Sequence, residues 1–195
     1  MNMADELELI LPDERHEAAA LEYRREHFAH GERELHGSAL LDRADSYAGW
    51  LALVEGNRSE TTVFPGWVPA TTFFAVRKND GRIVGMIDVR HRLNGFLRNY
   101  GGHIGYGVRP SERRRGYAAE MLRLALSYCS SLGLDRVMIS CNADNEGSRR
   151  TILRRGGVLE REFRHSGGTV QIYWIILSDG NGACLLYTSD AADEL

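Results

Sequence analysis

The chain has 195 residues, 43% of them hydrophobic and 26% charged, with a formal net charge of −3, which is enough apolar material for one domain with a real core. So even a charge balance argues against nucleic acid as an obligatory partner, no apolar run reaches the length of a membrane span, and the N-terminus lacks the apolar core of a signal peptide. Three cysteines, Cys129, Cys141 and Cys184, are odd in number and lack CxxC spacing, so neither a disulfide framework nor a zinc site is expected and a reducing, cytoplasmic setting fits.

Taken in chain order, Leu7 to Leu11 alternates like a short first strand, and Pro12-Asp13 introduces an amphipathic helix through about residue 29. Asp42 to Glu55 reads as a second helix, followed by a Gly/Pro-marked loop from Phe64 to Pro69. Ala70 to Arg77 and Arg82 to His91 are β-rich runs joined by Asn79-Asp80-Gly81, a hairpin signal because Asn and Gly tolerate positive φ. Tyr100 to Val108 is the fourth strand. Gly116 to Leu132 is helical, with Met121, Leu122, Ala125 and Cys129 along one apolar stripe. Val137 to Cys141 is a buried fifth strand, and Glu146 to Arg155 a helix stopped by Gly156-Gly157. Leu159 to Arg164 and Thr169 to Leu177 close the domain as a hairpin around Ser166-Gly167-Gly168. No repeat or linker divides the chain.

The stretch from His103 to Ala118, HIGYGVRPSERRRGYA, combines a strand, a proline brake, a basic turn and a glycine that opens a helix. A glycine lets backbone approach a ligand closely, and the unpaired amides at a helix start carry the positive end of the dipole, so an anion belongs there. Arg113, Arg114 and Arg115 add planar donors suited to pyrophosphate oxygens. On these residues alone the turn reads equally as a solvated basic helix end.

Arg113-x-x-Gly116-x-Ala118 resembles motif A of the GNAT superfamily of N-acetyltransferases. The similarity extends to Arg90-His91-Arg92-Leu93-Asn94 and Gly101 to Tyr106 before it, and to Cys141-Asn142, Asn145, Ser148 and Gly156-Gly157 after it, covering roughly residues 62–177 and matching one bacterial subgroup. The resemblance implies an α/β (α+β) fold whose mixed, mostly antiparallel sheet has its fourth and fifth strands splayed apart and is flanked by helices. It implies acetyl-coenzyme A as co-substrate, its arm entering the gap along Tyr106 to Val108 and its pyrophosphate held at Arg113, Arg114, Arg115, Gly116, Tyr117 and Ala118. Asn145 and Ser148 match positions that touch the pantetheine; Asn145 read by itself is an ordinary helix N-cap. The activity implied is transfer of an acetyl group to a primary amine by direct attack in a ternary complex. The alternative is a non-catalytic module of the same fold that binds coenzyme A or docks a partner.

For the chemistry, Val108 N–H is the candidate donor to the developing oxyanion. A lysine-like amine with a pKa near 10.4 is neutral only about once in a few thousand molecules at pH 7, whereas an α-amine near 8 is neutral about a tenth of the time, so only the first demands a strong base. Family members often place a tyrosine acid four residues after the position of Ser148, where this chain has Ile152, and a glutamate base on the fourth strand, where it has Gly101 and Gly102. His103 beside them is a candidate base or a structural histidine, as is His91; Tyr106 and Tyr173 are candidate acids or packing residues. Cys141 reads as buried packing. Asp88 and Arg90 share a strand face and pair, unless Arg90 orients an acidic acceptor. Glu22, Glu26, Glu32 and Glu34 either suit a cationic amine or form a solvated helix face. The acceptor is a small-molecule or peptide amine, and dimers are common in the family. Cys184 to Glu194, CLLYTSDAADE, resembles translated sequencing-adapter read-through, pointing to a metagenomic source; it sets residues 1–183 as the single domain and 184–195 as a non-native tail left out of fold reasoning.

Overall fold

The computed structural model describes residues 6–177; the adapter-like stretch and the boundary at residue 183 lie outside the described residues. Strand β1 (Leu7–Ile10) is followed by helices α1 (Glu17–Ala29) and α2 (Tyr47–Gly56), then β2 (Ala70–Arg77), β3 (Arg82–Arg90) and β4 (Ile104–Val108). Helix α3 (Tyr117–Ser131), β5 (Arg136–Asn142), α4 (Glu146–Arg154), β6 (Val158–His165) and β7 (Gly168–Ile176) complete the order.

The strands form two sheets rather than one. β1-β2-β3-β4 is antiparallel throughout, and β5-β7-β6 is a second antiparallel sheet. They meet at one point, where Gly102 forms an isolated bridge with Ile139 and His103 N–H donates to the Met138 carbonyl at 2.7 Å. A Cβ at Gly102 would lie 2.6 Å from that carbonyl oxygen, and its φ of +72° is left-handed, so only glycine lets the two backbones touch there. Past the bridge β4 and β5 diverge, which is the splay expected of the fourth and fifth strands.

Two apolar layers sandwich the larger sheet. On one face Phe73, Val84, Ile87, Val89 and Ile104 pack against Met121, Leu122, Ala125 and Cys129 of α3, with Ile139 and Tyr173 of the second sheet completing the core. The stripe read from the sequence is the buried one, and Gly85 lets it come close, since a Cβ there would meet Met121 Sδ at 2.6 Å. On the other face Phe74, Val76, Ile83 and Met86 are covered by Tyr23 of α1 and by Trp50, Leu51 and Val54 of α2.

Two element boundaries differ from the sequence reading. Helix α2 starts at Tyr47, because Ser46 is extended and its Oγ accepts Gly49 N–H at 3.1 Å; Leu41–Arg43 is a separate 3-10 turn, cut off by extended Ala44. The fourth strand is shorter than expected. Leu97–Gly101 winds as a π-helical turn whose first amide is held by Asn94 Oδ1 at 2.9 Å, and left-handed Gly102 ends it.

Candidate active site

β4 presents its backbone to the gap. Arg109 N–H donates to the Val84 carbonyl at 2.8 Å, so by antiparallel alternation Gly107 also faces β3 while the amides of Tyr106 and Val108 point the opposite way, toward the splay. The Val108 carbonyl on that side accepts Arg113 Nε at 3.1 Å.

After Pro110–Glu112, a 3-10 turn, the chain crosses Arg113 to Gly116 into α3. Arg114 and Gly116 are both left-handed, with φ of +63° and +89°. The first helical donors at the turn are Ala119 and Glu120, which bond the Gly116 carbonyl, and among the described residues the amide of Ala118 has no partner at the helix start. The three arginines divide their work. Arg113 is tied to Glu32 at 2.6 Å and Arg115 to Glu112 at 2.7 Å, whereas among the described residues no side-chain partner engages exposed Arg114. The Tyr117 ring is buried and its hydroxyl accepts Arg77 Nη1 at 3.1 Å, leaving its backbone as the part that faces the turn. The exposed Arg114 guanidinium, the open Ala118 amide and a left-handed glycine fit a pyrophosphate.

Across the gap, Tyr106 Oη and Ser148 Oγ are 2.9 Å apart. Burial pushes the Tyr106 phenol up to about 12, so it stays protonated at neutral pH. Asn145 is the N-cap of α4, its Oδ1 accepting Ser148 N–H at 3.0 Å; cap and site position coincide, and the cap sets where Ser148 points. Cys141 is buried, as read.

His103 is placed as a joint between the sheets. Its Nδ1 accepts Met138 N–H at 2.9 Å, while its own N–H binds the carbonyl of the same residue. Burial first, then the nearby Arg90 and Arg98, depress its pKa to about 4. The lone pair a base would use is already committed. His91 Nε2 is likewise engaged, 2.8 Å from Thr71 Oγ1, and Tyr173 Oη donates to Gln171 Oε1 at 2.7 Å.

The acidic residues of α1 and of the segment after it do not form an acceptor wall, which corrects that reading of Glu22, Glu26 and Glu32. Glu22 and Glu26 hold Arg109, which is only 1% exposed, at 2.9 and 3.2 Å; Glu26 also accepts Ser111 N–H, and Glu32 binds Arg113 and His27. Arg113 holds the Glu32 carboxyl down at about 2. These contacts fasten α1 to the turn. Glu34 is the exception and lines a cavity of ≈510 Å³ on the α1/α2 face, with His36, Trp67, Asp88, Arg90 and Phe96. The Gly66 to Val68 part of the loop after α2 borders it. Sequence reading missed Glu112, a buried carboxylate gripped by Arg77, Arg82 and Arg115 at 2.9, 3.2 and 2.7 Å. Arg115 is a local i,i+3 partner, but Arg77, 35 residues earlier, and Arg82 are too distant in the chain for a local pattern to reveal them.

Residues 42–158 match the family model of the acetyltransferase (GNAT) domain. The chain belongs to the GNAT family. A relative in Bacillus subtilis (strain 168), the uncharacterized N-acetyltransferase YoaA, is 39% identical over 71 residues, 34% of this GNAT chain; the chain spans 40% of that relative's length. Among solved structures, Mycobacterium smegmatis RimJ in complex with a coenzyme A disulfide superposes with a TM-score of 0.66 at 21% identity, covering 91% of this chain and 85% of that one. A Salmonella typhimurium acetyltransferase that modifies the N-terminal serine of ribosomal protein L7/L12 gives 0.61 at 21% identity over 88% and 95%. Both share the GNAT fold. No helix among the described residues is long and apolar enough to cross a membrane.

Proposed function

We propose that this protein is an N-acetyltransferase that moves the acetyl group of acetyl-coenzyme A to a primary amine by direct attack in a ternary complex. The observation that carries the reading is the coincidence of two features on one strand: β4 leaves its partner sheet with unpaired amides facing the gap, and ends at a turn ready for an anion. Arg114 and the Ala118 amide would hold the pyrophosphate at the start of α3, with Gly116 giving it room. When bound, acetyl-coenzyme A supplies an electrophilic thioester carbonyl and a thiol leaving group. Val108 N–H, with Tyr106 N–H beside it, offers a preorganised donor for oxygen that gains charge. The Tyr106 hydroxyl, kept protonated and in register with Ser148, is the group placed to give up a proton. His103 serves the reading as a strand joint rather than a base. Two neighbours' own names support it: RimJ is described with coenzyme A, and the Salmonella enzyme acts on an N-terminal amine.

A second reading, a module that binds coenzyme A without turnover, is favoured by Ile152, which is fully buried where many family members carry a tyrosine acid. Calorimetry and thiol release separate the two. Wild type should bind acetyl-coenzyme A with micromolar affinity and release thiol only with an amine present. Arg114→Gly removes the guanidinium at a φ of +63° that glycine prefers, so its stability should hold while affinity falls roughly 10-fold or more. Gly116→Asp places a carboxylate at the anion site and should abolish binding. Binding without amine-dependent thiol release would favour the module, and no binding by folded wild type would overturn both.

A further inference from the structure

Asp88 and Arg90 project from one face of β3 into the cavity beside β4. Asp88 is 5% exposed and fixed by two contacts: Thr72 Oγ1 donates to its Oδ1 at 2.9 Å, and Arg90 Nε lies 3.0 Å from its Oδ2. That arrangement uses one edge of the guanidinium. Among the described residues no contact engages Nη1 or Nη2, which lie beside Gly105: a Cβ built there would sit 3.4 and 3.5 Å from them. Gly105 immediately precedes Tyr106 on β4. A fork with its stem anchored and its tips open toward a cavity is the geometry that binds a planar oxyanion through two parallel hydrogen bonds.

The charges around the cavity limit what that oxyanion can be. Glu34, Asp42 and Asp88 face Arg43 and Arg90 there, three carboxylates against two guanidinium groups. Arg43, 3.5 Å from Asp42 and 3.8 Å from Glu34, is largely exposed to solvent, whereas Arg90 is the cation held in place at the cavity wall by a buried carboxylate. A dianionic phosphate would add two charges to a lining already in acidic surplus. A zwitterion adds none, setting its carboxylate on the fork and leaving its ammonium to the surplus acid. The same cavity is lined by the segment from Gly37 to Leu40, where Ala39 and Leu40 hold left-handed φ of +48° and +68°, conformations costly for side-chain-bearing residues that concentrate at ligand sites.

We infer that the acceptor is an amine that also carries a carboxylate, an amino acid or a close analogue, and that Arg90 is the residue that positions it by that carboxylate. This rests on the acetyltransferase reading. It makes Arg90 a specificity determinant rather than a participant in proton transfer, and gives Thr72 and Asp88 the task of aiming it.

The test uses the full chain, acetyl-coenzyme A and a panel of amino acids and dipeptides, each paired with its C-terminal amide, with thiol release as the readout. A neighbouring carboxylate raises the pKa of an amine, so the amides carry more free amine and a preference for the acids cannot come from basicity. The acids should be preferred by roughly 10-fold or more in kcat/KM. Arg90→Gln should erase that preference by raising KM for the acids, with kcat and acetyl-coenzyme A affinity little changed, and Arg90→Lys should restore part of it. Should Arg90→Gln fail to fold, Gly105→Ala gives the same answer: its methyl meets the fork and Gly37 N at ordinary contact distances, so the fold should hold while KM for the acids rises. Equal rates for acid and amide, turnover only of amines without a carboxylate, no turnover of any acid, or a preference that survives both variants would overturn the inference. Loss of acetyl-coenzyme A binding by wild type would instead remove the acetyltransferase reading on which it rests.

Discussion

At His103 one ring nitrogen serves two possible masters, and geometry decides between them. Nδ1 accepts Met138 N–H at 2.9 Å, so protonating it would replace a hydrogen bond with a clash of donors inside a buried joint. The depressed pKa of about 4 states the same fact energetically. An ordinary histidine titrates near 6.5, so between these values the unfolded chain binds more protons than the folded one and stability falls as pH falls. The contribution is whole above about pH 6.5 and is lost on the way down to about pH 4, with a ceiling of about 3 kcal/mol. His103→Asn offers Oδ1 at the position of Nδ1 and does not titrate. Urea unfolding of both proteins at pH 7.5 and 4.5 should show wild type losing about 2 kcal/mol more than the variant, since the carboxylates common to both cancel. Parallel losses would mean that His103 is not the neutral joint described. The sequence could mark this histidine but not choose its role, because the deciding partner lies 35 residues away in the chain.

Among elements, the turn before α3 depends on a carboxylate rather than on its arginines alone. Glu112 is 5% exposed and contacts Arg77, Arg82 and Arg115; Arg77 in turn reaches Asp80 at 2.6 Å in the β2-β3 hairpin. Glu112→Gln keeps the shape and removes the charge that Arg77, Arg82 and Arg115 share, leaving the cluster one carboxylate short. It should cost roughly 3 kcal/mol and weaken acetyl-coenzyme A by loosening the turn, as denaturation and calorimetry would show. Glu160→Gln, which breaks an exposed pair with adjacent Arg161, is the contrast and should change stability by less than about 0.5 kcal/mol. Legibility follows the same division. Periodicity marks α3 because it buries one regular stripe, while β2 and β3 stand out as β-rich runs because both of their faces are buried. Tyr100 was read into β4 because aromatic residues suit strands, yet Asn94 and Gly102 supply local geometry that winds Leu97–Gly101 instead. Glu22, Glu26 and Glu32 looked like a solvated face because Arg109 and Arg113, which hold them, lie more than 80 residues on.

For the whole molecule, one bridge between two sheets is both the weakness and the use of the fold. Gly102 and His103 join the halves at a single level, while the shared core beneath, where Ile104 and Met121 meet Ile139 and Tyr173, keeps them from separating. A ligand arm lying in the splay would add backbone hydrogen bonds on β4 and packing on the β5 side, so its binding energy would be stored in both sheets. Acetyl-coenzyme A at 100 times its Kd should stabilise the folded state by about 2.7 kcal/mol, which for a chain of this size raises Tm by roughly 5–10 °C. The distribution of protection is more telling than its size. Hydrogen exchange should slow at the Tyr106 and Val108 amides, which face the gap, and at Ala118 at the start of α3, and it should also slow in β5 and β7, which the ligand ties to β4. Gly102→Ala forces a Cβ within 2.6 Å of the Met138 carbonyl and should loosen the joint, so in that variant the exchange of β5 in the absence of ligand should quicken and the ligand-induced slowing there should be larger than in wild type. Slowing confined to β4 and α3 in both proteins would mean that the arm rests on one sheet alone, and that the single bridge is a structural junction with no part in holding the co-substrate.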